Sequence, residues 1–344
     1  MIHRLTFPQA VNLAMAEEMA ADPSVIVFGV DVPDHKRTFG SGAGLLERFG
    51  EARFFGSPLS EAGATGIAVG AALAGLRPVH VHARSDFLLL AMNQLCNMAA
   101  IKSYVSNGEE SVPLTVRALI GRSWGQGPQH SKAMHGVLAH FPGLKVVLPS
   151  SPQEGYSLLR AAIRDPNPVI VFEHRWLYDV TGEVDDAQIG PLQGCRILRA
   201  GTDVTLVGVS WMTVECLQAA DILARVGIRA EVVDVRVAAP LDGNGLADSV
   251  RRTRHLIVAD NDWTWGGLSA EIVAQVAERV AMRMPPVRLG FAACPCPTTR
   301  PLENLFYPSA REIVRAAERM LGLPEMDLSG DVFNEYEKRF RGPF

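Results

Sequence analysis

The sequence predicts an α/β protein of two domains, each a mostly parallel sheet with helices on both faces. Three observations carry this. Short β-branched runs alternate with longer amphipathic or alanine-rich stretches, and the strand-like runs are too uniformly apolar to leave one face in water. The alternation lapses once, after Glu173, and then starts again. At 344 residues the chain is also long for one core, and length alone suggests about two domains.

The first series has strand candidates "VIVFGVDV" (25–32), "ARFFGS" (52–57), "RPVHVHA" (77–83), "VPLTVRALIG" (112–121), "LKVVLPS" (144–150) and "PVIVFE" (168–173). Helix candidates lie between them at 7–21, 60–75, 86–105, 131–139 and 152–164. About thirty residues without alternation follow, "HRWLYDVTGEVDDAQIGPLQGCRILRAGT". The second series runs "DVTLVGV" (203–209), "RAEVVDVRV" (229–237), "HLIVADND" (255–262) and "PVRLGFA" (286–292), with helices starting near 211, 242, 267 and 309. In the first of these helices Cys216, Ala220 and Leu223 mark one face, and Gly227 stands where a C-terminal cap belongs. The expected domains are 1–185 and 201–324, with a linker at 186–200 and a tail at 325–344.

Lysine plus arginine is 33 and aspartate plus glutamate is 37, and no block of like charge stands out, so no nucleic-acid partner is expected. The five cysteines are an odd number in ordinary settings, which reads as reduced thiols in a cytoplasmic protein. Cys294-Pro-Cys296 has no second ligand pair at zinc spacing. "MIHRLTFPQAVNLAMAEEMA" is unlike a signal or transit peptide, and no window reaches the roughly 18 apolar residues of a membrane span.

Three stretches could carry chemistry. In "SPLSEAGATGIAVGAALAG" (57–75) Ser60 is a natural N-cap, and Gly63, Gly66 and Gly70 leave one helix face almost without side chains. Each glycine costs about 1 kcal/mol relative to alanine, so the face should be packed at close range. Glu61 is then the ionisable group of a small, apolar segment: a proton-exchanging carboxylate or simply a first-turn glutamate on a solvated edge. In "VHVHARSDFLLLAMNQLCNMAAIKS" (79–103) a strand ends in His80, His82, Arg84 and Asp86, where ligands bind in parallel sheets, and Asp86 can cap the next helix. The two histidines face one way but lack a third metal ligand. In "GRSWGQGPQHSKAMHG" (121–136) glycines permit close backbone approach, the lysine and hydroxyl pair of a P-loop is absent at the required spacing, and His130 is either a general acid or base or a surface residue.

In this order and spacing the stretches resemble the beta subunits of the thiamine-diphosphate-dependent decarboxylase component of 2-oxo acid dehydrogenase complexes. The pyruvate, branched-chain and acetoin versions belong to this group, within the transketolase-like family. The resemblance rests on "PLSEAGATGIAVGAALAGLRPV", "FLLLAMNQLCNMAA", "GPQHS", "AIRDPNPVIVFE", "GTDVTLVGVSWM", "EVVDVRVAAPLD" and "PCPTTRPLENLFYPSAREIVRAAERML", and covers roughly residues 3–322.

The resemblance implies a pyrimidine-binding domain followed by a transketolase C-terminal-like domain that mainly assembles the oligomer. Diphosphate and magnesium would be held by an alpha subunit through a Gly-Asp-Gly motif, which this chain lacks. An alpha2beta2 heterotetramer and a lipoyl-carrier acyltransferase partner are implied with it. Glu61 corresponds to the glutamate on the pyrimidine ring nitrogen, where it promotes removal of the thiazolium proton. His130 corresponds to the histidine that moves a proton at the acceptor step, and Phe87 and Gln94 to cofactor-pocket positions. Counterparts of a potassium site, built largely from carbonyl oxygens, would be Leu114, Ala162, Ile163, Asp165 and Asn167. Departures from the pattern bring His82, Arg84 and Asp86 toward the pocket, add Arg122, Trp124 and Gln126 before His130, and put Asn93 in place of an aspartate. They point to a hydroxylated or anionic donor or acceptor. A split transketolase that transfers two-carbon units, and a non-catalytic structural subunit, are the competing readings. Retention of Glu61 and His130 argues against the latter.

Overall fold

The computed structural model describes residues 1–34, 40–121 and 126–333. The described residues divide into two compact units, one built from 1–34, 40–121 and 132–192 and the other from 126–131 and 193–333.

The first unit carries a parallel sheet in the order Lys145–Val147, Val169–His174, Thr115–Ile120, Arg77–His82, Val25–Gly29, Phe54–Gly56. Its strands Val25–Gly29, Thr115–Ile120 and Val169–His174 are buried at every residue, which their mainly apolar runs favour and which the pairing of Arg117 with Glu173 permits. The helix Phe7–Ala21 starts with a capping box between Thr6 and Gln9 and has Pro8 in its first turn. Its buried stripe includes Phe7, Val11, Met15 and Met19 and packs on the helix Pro152–Arg164. Large apolar side chains of this kind contribute roughly 1.5–3 kcal/mol each when fully buried. Gly155 is what lets the two helices close, because a Cβ there would lie 2.9 Å from the Phe7 ring. Arg160 and Arg164 seal the contact on Glu18, at 2.6 and 2.9 Å.

Two departures from the sequence reading matter. Ile2–Thr6 pairs antiparallel with Thr181–Asp185; five residues whose partner is far along the chain give no hairpin signal. The helix expected over 86–105 is instead a 3₁₀ segment Ser85–Ala91, a π segment Asn93–Ala99 and a short α turn Lys102–Val105. Asp86 sits inside the first turn and its carboxylate accepts from the Lys132 backbone at 3.2 Å, so it ties down a neighbouring segment instead of capping.

The second unit holds a sheet ordered Val287–Phe291, Leu256–Trp263, Val204–Gly208, Ala230–Asp234, Arg196–Arg199, parallel except for the last strand. Helices Trp211–Ala224, Gly243–Thr253, Leu268–Ala277 and Ala310–Leu321 accompany it. The last begins with a Ser309/Glu312 capping box and ends at Gly322 in the left-handed region.

Candidate functional site

A cavity of about 380 Å³ opens in the first unit at the C-terminal end of Arg77–His82, and its walls include Glu61, His80, His82, Phe87 and Leu90. Parallel strands place ligand sites at this end. Glu61 is the first residue of the helix Glu61–Leu73, with Ser60 at the N-cap position but making no side-chain capping bond. The helix N-terminus favours negative charge on that carboxylate. Phe87 and Leu90 reach the same cavity because residues three apart eclipse along a 3₁₀ segment.

His80 and His82 are buried and stand edge to face, ring centroids 4.5 Å apart. Burial pushes His80 down to about 4 and His82 well below the ordinary histidine value. Both rings are therefore neutral near pH 7. His82 Nε2 lies 3.2 Å from Thr65 Oγ1. Among the described residues no third histidine, cysteine or carboxylate joins the pair at metal-ligand distance.

The remaining candidates fall elsewhere. Arg84 does not line this cavity: it is buried, and its Nη1 donates to the Gly121 carbonyl at 2.7 Å. Gln94 lies in the π segment beside Gly66, its Oε1 buried without a hydrogen-bond partner. Asn93 is exposed and its Oδ1 accepts from Asn97 at 3.1 Å. Arg122 and Trp124 lie outside the described residues. Gln126 and His130 flank a short 3₁₀ turn, Gly127–Gln129, that clusters with the second unit. The helix face at Gly66 and Gly70 is not packed at close range by the described residues: a Cβ at Gly70 would meet nothing within 4 Å, and one at Gly66 only Gln94 at 3.8 Å, whereas one at Gly63 would lie 2.8 Å from the Ser60 hydroxyl of the same helix start. Sequence reading gave His80 only a metal role, since the pattern cannot show which ring nitrogen is engaged.

The nominated potassium ligands come together where Thr115–Ile120 and Val169–His174 begin. The carbonyls of Leu114 and Ala162 accept from Val169 and Asp165 amides at 2.9 and 3.2 Å. Those of Ile163 and Asp165 accept from Arg77 Nη1 at 2.9 and 3.3 Å. Lys145 pairs with the Asp165 carboxylate, which also accepts from the Asn167 amide at 2.9 Å. The donor type, oxygen only, suits a hard cation, but the positive charges of Arg77 and Lys145 already occupy the Ile163 and Asp165 carbonyls and the Asp165 carboxylate and oppose a further cation beside them.

Comparison with known proteins follows the same division. Residues 3–181 match the transketolase pyrimidine-binding domain and residues 193–313 the transketolase C-terminal domain. The chain is 40% identical over 322 residues to the pyruvate dehydrogenase E1 component subunit beta-2, mitochondrial, of Oryza sativa subsp. japonica, covering 92% of this chain and 86% of that protein. It is 36% identical over 328 residues to the mitochondrial E1 subunit beta of Bos taurus, covering 93% and 91%. A split-gene transketolase solved as an inactive beta4 tetramer superposes with a TM-score of 0.77 at 22% identity, over 94% of this chain and 100% of that one, a likeness of fold alone. The expected cytoplasmic location is corrected by these relatives, which are mitochondrial proteins. The cysteine count by itself does not say which compartment holds the chain.

Proposed function

This chain belongs to the transketolase-like family that includes the beta subunits of pyruvate dehydrogenase E1, and from that membership we propose that it is the beta subunit of a thiamine-diphosphate-dependent 2-oxo acid dehydrogenase, in its decarboxylating component. One juxtaposition supports the reading: the Glu61 carboxylate, on the first residue of its helix, and the Phe87 ring share a cavity of otherwise largely apolar walls.

When bound, thiamine diphosphate supplies the electron sink that decarboxylation of a 2-oxo acid needs. The chain's own residues prepare that chemistry. Glu61 would hold the proton of the pyrimidine ring nitrogen at a carboxylate oxygen, in surroundings where little water competes for it. Phe87 offers a flat face, and Val30, Ala64 and Leu90 complete an apolar enclosure. Gln94 would support this wall from the π segment. His130 would move the proton at the acceptor step, and Gln126 and the adjoining Arg122 and Trp124 would face the substrate. His82, held by Thr65, and Arg84, through Gly121, would shape the pocket and its loop.

Diphosphate and magnesium would be held by an alpha subunit, in an alpha2beta2 heterotetramer that passes the acyl unit to a lipoyl-carrier acyltransferase. Leu114, Ala162, Ile163, Asp165 and Asn167 would hold a structural potassium ion. The test is co-expression with an alpha subunit carrying the Gly-Asp-Gly motif, then a screen of 2-oxo acids for carbon dioxide release with thiamine diphosphate and magnesium. Release from at least one acid is expected. Transfer from a ketose with no release from any acid would sink the reading.

A further inference from the structure

One polar atom in the wall of the Glu61 cavity has a defined proton state and nothing to bond. His80 is 2% exposed, and its Nδ1 lies 3.3 Å from the Phe28 carbonyl oxygen. A carbonyl only accepts, so Nδ1 carries the ring proton and Nε2 keeps a lone pair. That Nε2 is buried and has no hydrogen-bond partner. The ring is held in place by stacking on Phe28 at 4.7 Å and by the edge contact with His82. Turning the ring over would forfeit the Phe28 bond.

A second orphan lines the same cavity: the Ser57 hydroxyl oxygen is also buried without a partner. The lining also has the Glu61 carboxylate, the Ser60 hydroxyl and His82, whose Nε2 is engaged by Thr65, and no lysine or arginine. The rest is mainly apolar, with Val30, Ala64, Phe87 and Leu90. A buried ring nitrogen, a half-buried carboxylate and the Ser57 and Ser60 hydroxyls, with no lysine or arginine among them, suit an uncharged part of a ligand that brings its own N–H or O–H donor.

We propose that His80 is a specificity-determining residue of this site, its Nε2 accepting a hydrogen bond from an amino or hydroxyl group of the small molecule that fills the cavity, with Ser57 Oγ as a second polar contact. The inference rests on the reading of the cavity as part of a thiamine-diphosphate site. The donor is either the amino group of the cofactor's pyrimidine or a hydroxyl of the substrate.

The experiment uses the complex assembled with its alpha subunit. Kd for thiamine diphosphate with magnesium is measured by calorimetry for the wild type, His80→Phe and His80→Gln, together with KM for 3-hydroxypyruvate relative to pyruvate. With the donor on the cofactor, His80→Phe raises Kd about five- to tenfold. With the donor on the substrate, Kd holds and the KM ratio rises by a similar factor. His80→Gln, which keeps an acceptor, recovers most of either loss. A Kd and a KM ratio both unchanged in His80→Phe overturn the inference. Should that variant fail to assemble, a crystal structure of the wild-type complex with thiamine diphosphate decides: a ligand nitrogen or oxygen within about 3.2 Å of Nε2 supports it, and a water or nothing there overturns it. A wild-type complex that binds no thiamine diphosphate overturns the functional reading and this inference together, whereas normal wild-type binding indifferent to His80→Phe removes the inference alone.

Discussion

Arg84 Nη1 donates to the carbonyl oxygen of Gly121 at 2.7 Å, joining the segment before Phe87 to the first residue of the glycine-rich loop. Gly121 has φ +79, and a Cβ there would lie 2.5 Å from the His174 ring. The loop therefore leaves its strand in a conformation that glycine permits and a buried guanidinium holds. Arg84→Ala should cost about 1.5–3 kcal/mol in urea unfolding and lower kcat in the assembled enzyme, with Arg84→Lys between. A variant of unchanged stability whose only defect is a higher KM for acidic substrates would show instead that Arg84 touches substrate.

Glu61→Ala should lower turnover by about 10²–10⁴-fold while the assembled complex elutes unchanged in gel filtration. The side chain is half-buried at the helix start and makes no bond on which the helix depends. Loss of assembly would give it a structural role.

The central strands of the first unit are crossed by a buried ion pair, Arg117 Nη2 to Glu173 Oε2 at 2.9 Å and Arg117 Nε to Oε1 at 2.5 Å. Tyr178 donates to the same carboxylate, and Arg117 also reaches Ser41 Oγ at 3.0 Å. Glu173 holds the Arg117 guanidinium above its ordinary value despite burial. Glu173→Gln leaves that charge uncompensated and should cost about 3–5 kcal/mol, read as a lowered denaturation midpoint. A cost below about 1 kcal/mol would refute this account of the pair.

Acid should weaken the fold through the cavity histidines. Both folded-state values lie below the unfolded value of 6.5, so the unfolded chain binds more protons between them. Their contribution is fully present above about pH 6.5 and is lost as pH falls through about 4 for His80. For His80 the whole swing is about 3 kcal/mol, most of it gone by pH 4.5. Urea midpoints measured at pH 7 and pH 4.5 should converge in His80→Phe relative to the wild type, and an equal acid loss in both would contradict the assignment.

Exchange of potassium for sodium should lower the thermal midpoint of the assembled protein by a few degrees and not unfold it. Four carbonyls of the oxygen cluster already accept hydrogen bonds from Arg77 and two backbone amides. A transition to an unfolded state on removing potassium would mean that those bonds cannot hold the cluster.

The sequence is most legible where burial and local geometry agree. The buried runs 25–29, 115–120 and 169–174 announce themselves because every residue is apolar or paired. Helices 152–164 and 310–321 do so through Pro152 after Ser151, and through the Ser309/Glu312 box before Gly322. The segment 86–105 departs from the expected helix because Leu88, Leu95 and Ala99 satisfy a helical period while the backbone winds first tighter and then wider than α. Edge strands such as Arg196–Arg199 carry too little burial to show.

By itself the sequence determined the two α/β series, the Glu61 segment and the loop with His130, because these depend on residue types at fixed spacing along the chain. Only the tertiary structure decided that Arg84 serves the Gly121 carbonyl and that Phe87 shares a cavity with Glu61. It also decided that His80 presents its unprotonated nitrogen with nothing to bond. Spacing along a strand can say which face a side chain takes, but the partner of each polar atom is set by what the fold brings against it from far along the chain.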